Sequence, residues 1–158
     1  MSEAPRELRS LLITVTGGRV LLPNANVAEI ITAATPDPVD NAPPWLLGRV
    51  RWRGWRVPLF SFSLLTGLAE KERALNAKVC ILKALGEHQR MPYTAMLCLG
   101  FPRLTTVTPD ILVPTHHGEE ELTSGVRHRV LLRDDQAFIP DLVSIENEIS
   151  GVLQAAAA

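Results

Sequence analysis

The sequence predicts a mostly β protein of barrel architecture that ends in one amphipathic helix. Three observations carry this. Short apolar segments of period two recur along the chain as far as Pro140. Turn signals built from Gly, Asn and Pro separate them. After Pro140 the period changes. Leu142, Ile145 and Ile149 then fall at helical spacing, with Glu146 and Glu148 off that stripe. Many short strands followed by one helix make a small barrel architecture the economical way to bury the apolar faces.

The elements follow in order. Leu11, Ile13 and Val15 alternate, Gly17-Gly18 follows, and Arg19 to Leu22 resumes the apolar pattern, which is a hairpin signal. Pro23 ends that strand, and Asn24 or Asn26 starts a short turn. Val27 to Ala33 reads as a strand, with a helical turn at Asn26 to Ile30 open as an alternative. Thr35 to Pro44 holds four prolines in ten residues and excludes a regular element. A long hairpin spans Arg49 to Phe62. Arg49, Arg51 and Arg53 share one face and Val50 and Trp52 the other, while Trp55, Val57 and Leu59 share a face after the bend. Gly54 takes positive φ without steric cost, so the chain reverses there. Ser63 to Ala77 reads as a helical turn and an exposed linker carrying Glu70 to Arg73. Further strands are expected at Lys78–Leu85, Tyr93–Leu99, Arg103–Val107, Val126–Arg133 and Gln136–Ile139. Thr115 to Ser124 is polar and loop-like. A helix from Asp141 ends at Gly151, and Gln154 to Ala158 fray.

Composition bounds the function. The chain has 158 residues, 46% of them hydrophobic and 21% charged, the balance of a globular domain. A net charge of −1 gives no bulk attraction for nucleic acid or an acidic membrane. No apolar run approaches the roughly 20 residues of a membrane helix. Met1 to Ser10 is polar, lacks the pattern of a secretion signal and reads as a tail, so a cytoplasmic location is expected. Residues 11–150 then form the domain and 151–158 a second tail. Cys80 and Cys98 each sit in an apolar run without Cys-x-x-Cys spacing, which suits small buried hydrophobes better than a disulfide or reactive thiols.

No catalytic signature is present: no phosphate loop, dinucleotide loop, nucleophile elbow or paired zinc-protease histidines. His116-His117-Gly118-Glu119-Glu120-Glu121 is the best metal candidate, but no Cys or third His completes a tetrahedral set. No cofactor or metal is therefore expected. Arg49, Arg51, Arg53 and Arg56, interleaved with Trp52 and Trp55, have the composition of a nucleic-acid platform. The lack of basic charge and the 5% aromatic content weigh against that alternative, a nucleic-acid-binding small β-barrel. Trp and Arg are equally the residues of protein–protein hot spots, so an interaction module is the better reading.

Val27-Ala28-Glu29-Ile30, the Pro43-Pro44 loop, Gly48 through Arg53-Gly54, Val57-Pro58 and Leu64-Leu65-x-Gly67, in this order and spacing, resemble the signature of CheW-like chemotaxis coupling proteins. The resemblance covers roughly Leu11 to Ile149. Arg51 stands where that family often has Asn, and Ser61 where it often has Asp. The Val-Asp of its second half is replaced by Leu97-Cys98-Leu99-Gly100-Phe101. Such departures are similar to those of divergent, pilus-linked adaptors of the ChpC type. The resemblance implies two packed, five-stranded, SH3-like β-barrel subdomains with a C-terminal helix. It implies a non-catalytic adaptor without cofactors, bound to the regulatory domain of a CheA-type histidine kinase and to the cytoplasmic tip of a methyl-accepting chemoreceptor. It also implies a partner-binding surface around Val27, Glu29, Gly48, Arg53 and Gly54, with Glu29 and Arg53 as an ion pair.

Overall fold

Strand β1 (Leu8–Val15) turns at Thr16-Gly17 into β2 (Gly18–Pro23), with Val15 opposite Gly18. A 3-10 turn at Asn24–Asn26 leads into β3 (Val27–Thr32). The long hairpin is β4 (Leu46–Trp52) and β5 (Trp55–Phe60), followed by the short helix α1 (Phe62–Thr66). Then come β6 (Ala77–Lys83), β7 (Tyr93–Leu99), β8 (Arg103–Val107), β9 (Leu112–Pro114), β10 (Val126–Leu132) and β11 (Asp135–Pro140). Helix α2 (Leu142–Ala157) ends the chain. These elements belong to a computed structural model that describes residues 7–32, 35–73, 75–86, 88–115 and 122–157. The candidate metal loop, His116 to Glu121, lies outside them.

Two sheets result. One has the order β8-β1-β2-β11-β10-β9, the other β3-β6-β7-β5-β4. The chain builds the second sheet entirely between β2 and β8, so the first sheet is assembled from both ends of the sequence. Neighbours are antiparallel except β11 with β2 and β5 with β7. The mostly β architecture with one terminal helix is as expected. The first sheet has six strands instead of five, because Leu112–Pro114 pairs with the edge of β10. Three residues ending in proline give too short a pattern for period two to register.

The core has three parts. Leu12, Leu21, Val107, Val130, Leu132 and Ala137 fill the inner face of the first sheet. Val50, Trp52, Val57, Leu59, Val79, Ile81 and Ala95 fill that of the second. A third cluster lies between the sheets. There Ile13, Val15, Val20 and Leu22 meet Phe60, Cys80, Leu82, Met96 and Cys98, joined by Leu142, Ile145 and Ile149 of α2. Cys80 and Cys98 are free and buried in this layer. Burial raises both thiols, Cys98 to about 12, so both stay protonated at neutral pH.

Side-chain hydrogen bonds close the ends of the sheets. The Ser61 hydroxyl caps α1 by accepting from the Leu64 amide at 3.0 Å, and it donates to Glu72. Glu72 also accepts from Thr16, and the Ser63 hydroxyl donates to the Thr16 carbonyl at 2.6 Å. The stretch expected to be an exposed linker is therefore pinned to both sheets. Glu146, expected off the apolar stripe of the helix, is 2% exposed. Its carboxylate accepts from the Leu85 and Gly86 amides, both at 2.8 Å, which fastens the β6–β7 loop to α2.

Several boundaries move, two of them for reasons visible in the pairing and packing. β1 starts at Leu8, inside the expected tail, because Leu8 to Leu12 pair with β8. Helix α2 does not stop at Gly151 but runs on to Ala157. Val152 and Leu153 pack on the central cluster, and an alanine-rich tail favours helix, which together outweigh the cost of one glycine.

Gly151 has open space around its Cα and no positive φ. Gly151→Ala is expected to stabilise the protein by about 1 kcal/mol and to raise Tm by about 2–4 °C, read by a thermal melt. Glu146→Ala strands two amides and is expected to cost about 1–3 kcal/mol, read by urea unfolding.

Candidate functional site

The hairpin bend is the most structured piece of surface. Trp52 and Trp55 face each other across the β4–β5 pair, which leaves Arg53-Gly54 as a two-residue loop. Arg53 has φ 47° and Gly54 φ 81°. Positive φ at both central positions is the turn whose twist matches the flanking strands. Glycine accommodates this freely, whereas Arg53 holds a conformation that few non-glycine residues adopt.

Glu29 reaches this bend from β3. Its carboxylate accepts from the Trp52 indole N–H at 2.7 Å and from Arg53 Nη2 at 3.1 Å. The expected ion pair between Glu29 and Arg53 is formed. The Arg53 guanidinium also lies 5.2 Å from the Trp52 ring centroid, within cation–π range. Below it, Tyr93 meets Trp52 edge-on at 4.8 Å between centroids and Trp55 at 6.1 Å. Trp52 is 9% exposed and Trp55 43% exposed. One tryptophan anchors the bend in the core and the other offers its ring to solvent, although period two alone gives both strands a single inward face.

The local sequence explains how Glu29 arrives there. Register shifts between Val27 and Glu29 against β6, so the strand bulges at the point where the acid turns to the bend. A buried indole N–H needs an acceptor, and Glu29 is the one acid in β3. That rule tells from sequence that Trp52 needs an acceptor, while the choice of Glu29 follows from the sheet order. Nothing local signals Tyr93, which arrives through the sheet order.

The remaining expected residues sit apart from this cluster. Val27 packs against the cluster between the sheets. Gly48 lies near the start of β4 at φ 140°, where a Cβ would collide with the Asp37 carbonyl and come within 2.9 Å of Pro36 Cβ. Asp37 and Arg49 exchange backbone hydrogen bonds there at 2.9 and 2.8 Å, so the proline-rich loop is docked on β4. The structure thus brings Glu29, Arg53 and Gly54 together, and gives Val27 and Gly48 supporting places.

Glu29 titrates below the ordinary glutamate range. The Trp52 hydrogen bond is the largest cause and the Arg53 hydrogen bond the next, against slight desolvation. A depressed folded pKa gives a contribution to stability that is fully present above the unfolded glutamate pKa. It is lost as pH falls through the folded value. In a carboxyl-carbon NMR titration, Trp52→Phe is expected to move the Glu29 midpoint up further than Arg53→Ala does. The reverse order would make the guanidinium the dominant partner.

Among the described residues no group of three His, Cys, Asp or Glu could hold a metal ion, and no helix is long and apolar enough to cross a membrane. The bend presents one charge pair braced on Trp52, with the Trp55 ring exposed beside it.

Comparison with known proteins agrees with this fold. A solved structure of the scaffolding protein TtCheW from Thermoanaerobacter tengcongensis is similar, with a TM-score of 0.71 at 13% identity, covering 90% of this chain and 89% of that one. No curated protein matches. The model of the CheW-like domain matches residues 9–148, nearly the whole of both sheets and the first part of α2, and the chain belongs to that family.

Proposed function

We propose that this chain is a non-catalytic adaptor of a chemosensory assembly. It works in the cytoplasm, joining the regulatory domain of a CheA-type histidine kinase to the cytoplasmic tip of a methyl-accepting chemoreceptor. Its docking surface includes Glu29, Arg53 and Gly54, with Val27 and Gly48 holding β3 and β4 in place. The observation that carries this reading is the Glu29–Trp52–Arg53 cluster. A charged pair is braced on a buried indole at a rigid bend, in a chain of the CheW-like family. The departures at Arg51 and Ser61 support a place among the divergent, pilus-linked adaptors, and hence a role in twitching motility.

The mechanism is scaffolding. An adaptor passes a signal only if its contacts differ in strength between two states of its partners. A stiff surface suits that task, because a change in partner geometry is then felt as lost contact instead of being absorbed by the adaptor. The exposed pair itself adds little to stability, so its use lies in fixing the bend.

Interface energy concentrates in few residues. Arg53→Ala is therefore expected to weaken binding to kinase and receptor fragments by more than about tenfold, while the fold survives. Arg73→Ala, an exposed side chain on the pinned segment after α1, leaves binding unchanged. Calorimetry or sedimentation with purified fragments decides. Normal binding by a folded Arg53→Ala protein would remove the site from this surface. A salt-steep affinity for nucleic acid that disappears in the same variant would establish the alternative function.

A further inference from the structure

The outer face of the same hairpin carries a second feature, which Trp55 at the bend also borders. A groove of about 720 Å³ lies between the outer face of β4–β5, the loop after β6 and the last turns of α2. Arg49, Arg56 and Arg90 line it together with Trp55 and Leu153, and no Asp or Glu lines it among the described residues. The ion pairs among the described residues use Arg19, Arg53 and Arg103, and none uses the groove arginines. Arg51 and Arg56 stand directly opposite each other across the strand pair. Like charges in that position are destabilising. The C-terminal end of α2 supplies only about half a negative charge nearby, against three guanidiniums. Charge on an edge strand also discourages sheet-to-sheet pairing, but that role calls for neither a groove nor an exposed indole.

We infer that this groove binds an acidic segment of a protein partner. Carboxylates of the segment pair with Arg49, Arg56 and Arg90, and an apolar side chain between them rests against Trp55 and Leu153. The guanidinium fork matches a carboxylate bidentately. The apolar wall favours a peptide over a nucleic-acid backbone, which would need a row of stacking rings, and among the described residues only Trp55 and the His88 imidazole supply rings to the groove. This site shares no arginine with the Glu29–Arg53 surface, and Trp55 is the residue that borders both.

The test uses the full chain and a short fluorescein-labelled peptide in which glutamates flank one leucine, followed by anisotropy, and an unlabelled copy followed by tryptophan emission, with Trp55→Phe assigning the change to Trp55. The peptide is expected to bind at low salt, to shift the emission, and to weaken as salt rises. Arg49→Glu/Arg56→Glu lowers affinity by at least about tenfold. Arg9→Glu/Arg73→Glu, with the same change of charge on distant exposed positions, changes it by less than about twofold. Thermal melts check folding, and Arg49→Gln/Arg56→Gln serves if the double glutamate variant does not fold. Equal losses in the two charge-reversal variants would reduce the effect to bulk electrostatics and overturn the site. So would the absence of binding up to about 1 mM peptide, or tighter binding of a single-stranded oligonucleotide of equal charge. Arg53→Ala retains peptide binding, which separates failure of this groove from failure of the docking surface above.

Discussion

Everything in this molecule depends on strands that are buried on both faces. β1, β2, β6 and β7 each send alternate residues to two different cores. In β6, Val79 and Ile81 go inward, while Cys80 and Leu82 go to the layer between the sheets. In β2, Leu21 faces one way and Val20 and Leu22 the other. Neither sheet can leave the other without exposing a full apolar face. At roughly 25 cal/mol per Å² of apolar surface, that coupling makes the two sheets one cooperative unit. Helix α2 seals the same layer with Leu142, Ile145 and Ile149. This rigidity is what holds the surface bend at Arg53-Gly54 in one place.

The sheets are joined by packing in the middle and by polar contacts at the ends. Ser61 is fully buried, yet its hydroxyl both caps α1 and donates to Glu72. The CheW-like resemblance expects Asp at this position. Here a serine caps the helix while the carboxylate comes from Glu72, eleven residues on. Glu146 does for the β6–β7 loop what Glu72 does for the β1–β2 turn. In both cases a carboxylate takes two donors from backbone or hydroxyl groups that would otherwise be unsatisfied, which is the condition for burying polar atoms.

Much of this was legible in the sequence because period two is a physical requirement of a sheet between two environments. β7 and β8 have the limits read from the pattern. Gly17 and Arg53-Gly54 mark their hairpins, and the Asp141 side chain caps α2 through the Ser144 amide. The misses have equally physical causes. β9 is too short to show a period. Gly151 reads as a stop only if the residues after it have nothing to pack on, and Val152 and Leu153 do. Glu146 reads only as off the apolar stripe because a buried acid is recognised by its donors, and those lie some 60 residues away in sequence. The site was half legible. The Glu29–Arg53 pair follows from the family signature, but the role of Trp52 as hydrogen-bond donor and of Tyr93 as the ring beneath it requires the sheet order.

A net charge of −1 conceals how the charges are arranged. On the β4–β5 hairpin one arginine is neutralised by Glu29, and the four others of this region, Arg49, Arg51, Arg56 and Arg90, have no ion-pair partner among the described residues. The hairpin is stiffened from within by Trp52, Val50, Val57 and Leu59, which fixes the backbone positions from which its outer arginines project. Like charges held at fixed spacing repel one another in the free protein, and a binding partner that brings carboxylates relieves that repulsion on contact. Specificity then comes from geometry as much as from charge. A segment whose acids do not match the spacing of the guanidiniums leaves both sides desolvated and unpaired, and is rejected for that reason. The same strand pair thus carries one arginine whose charge is met within the chain, Arg53 at Glu29, and others that form no ion pair among the described residues.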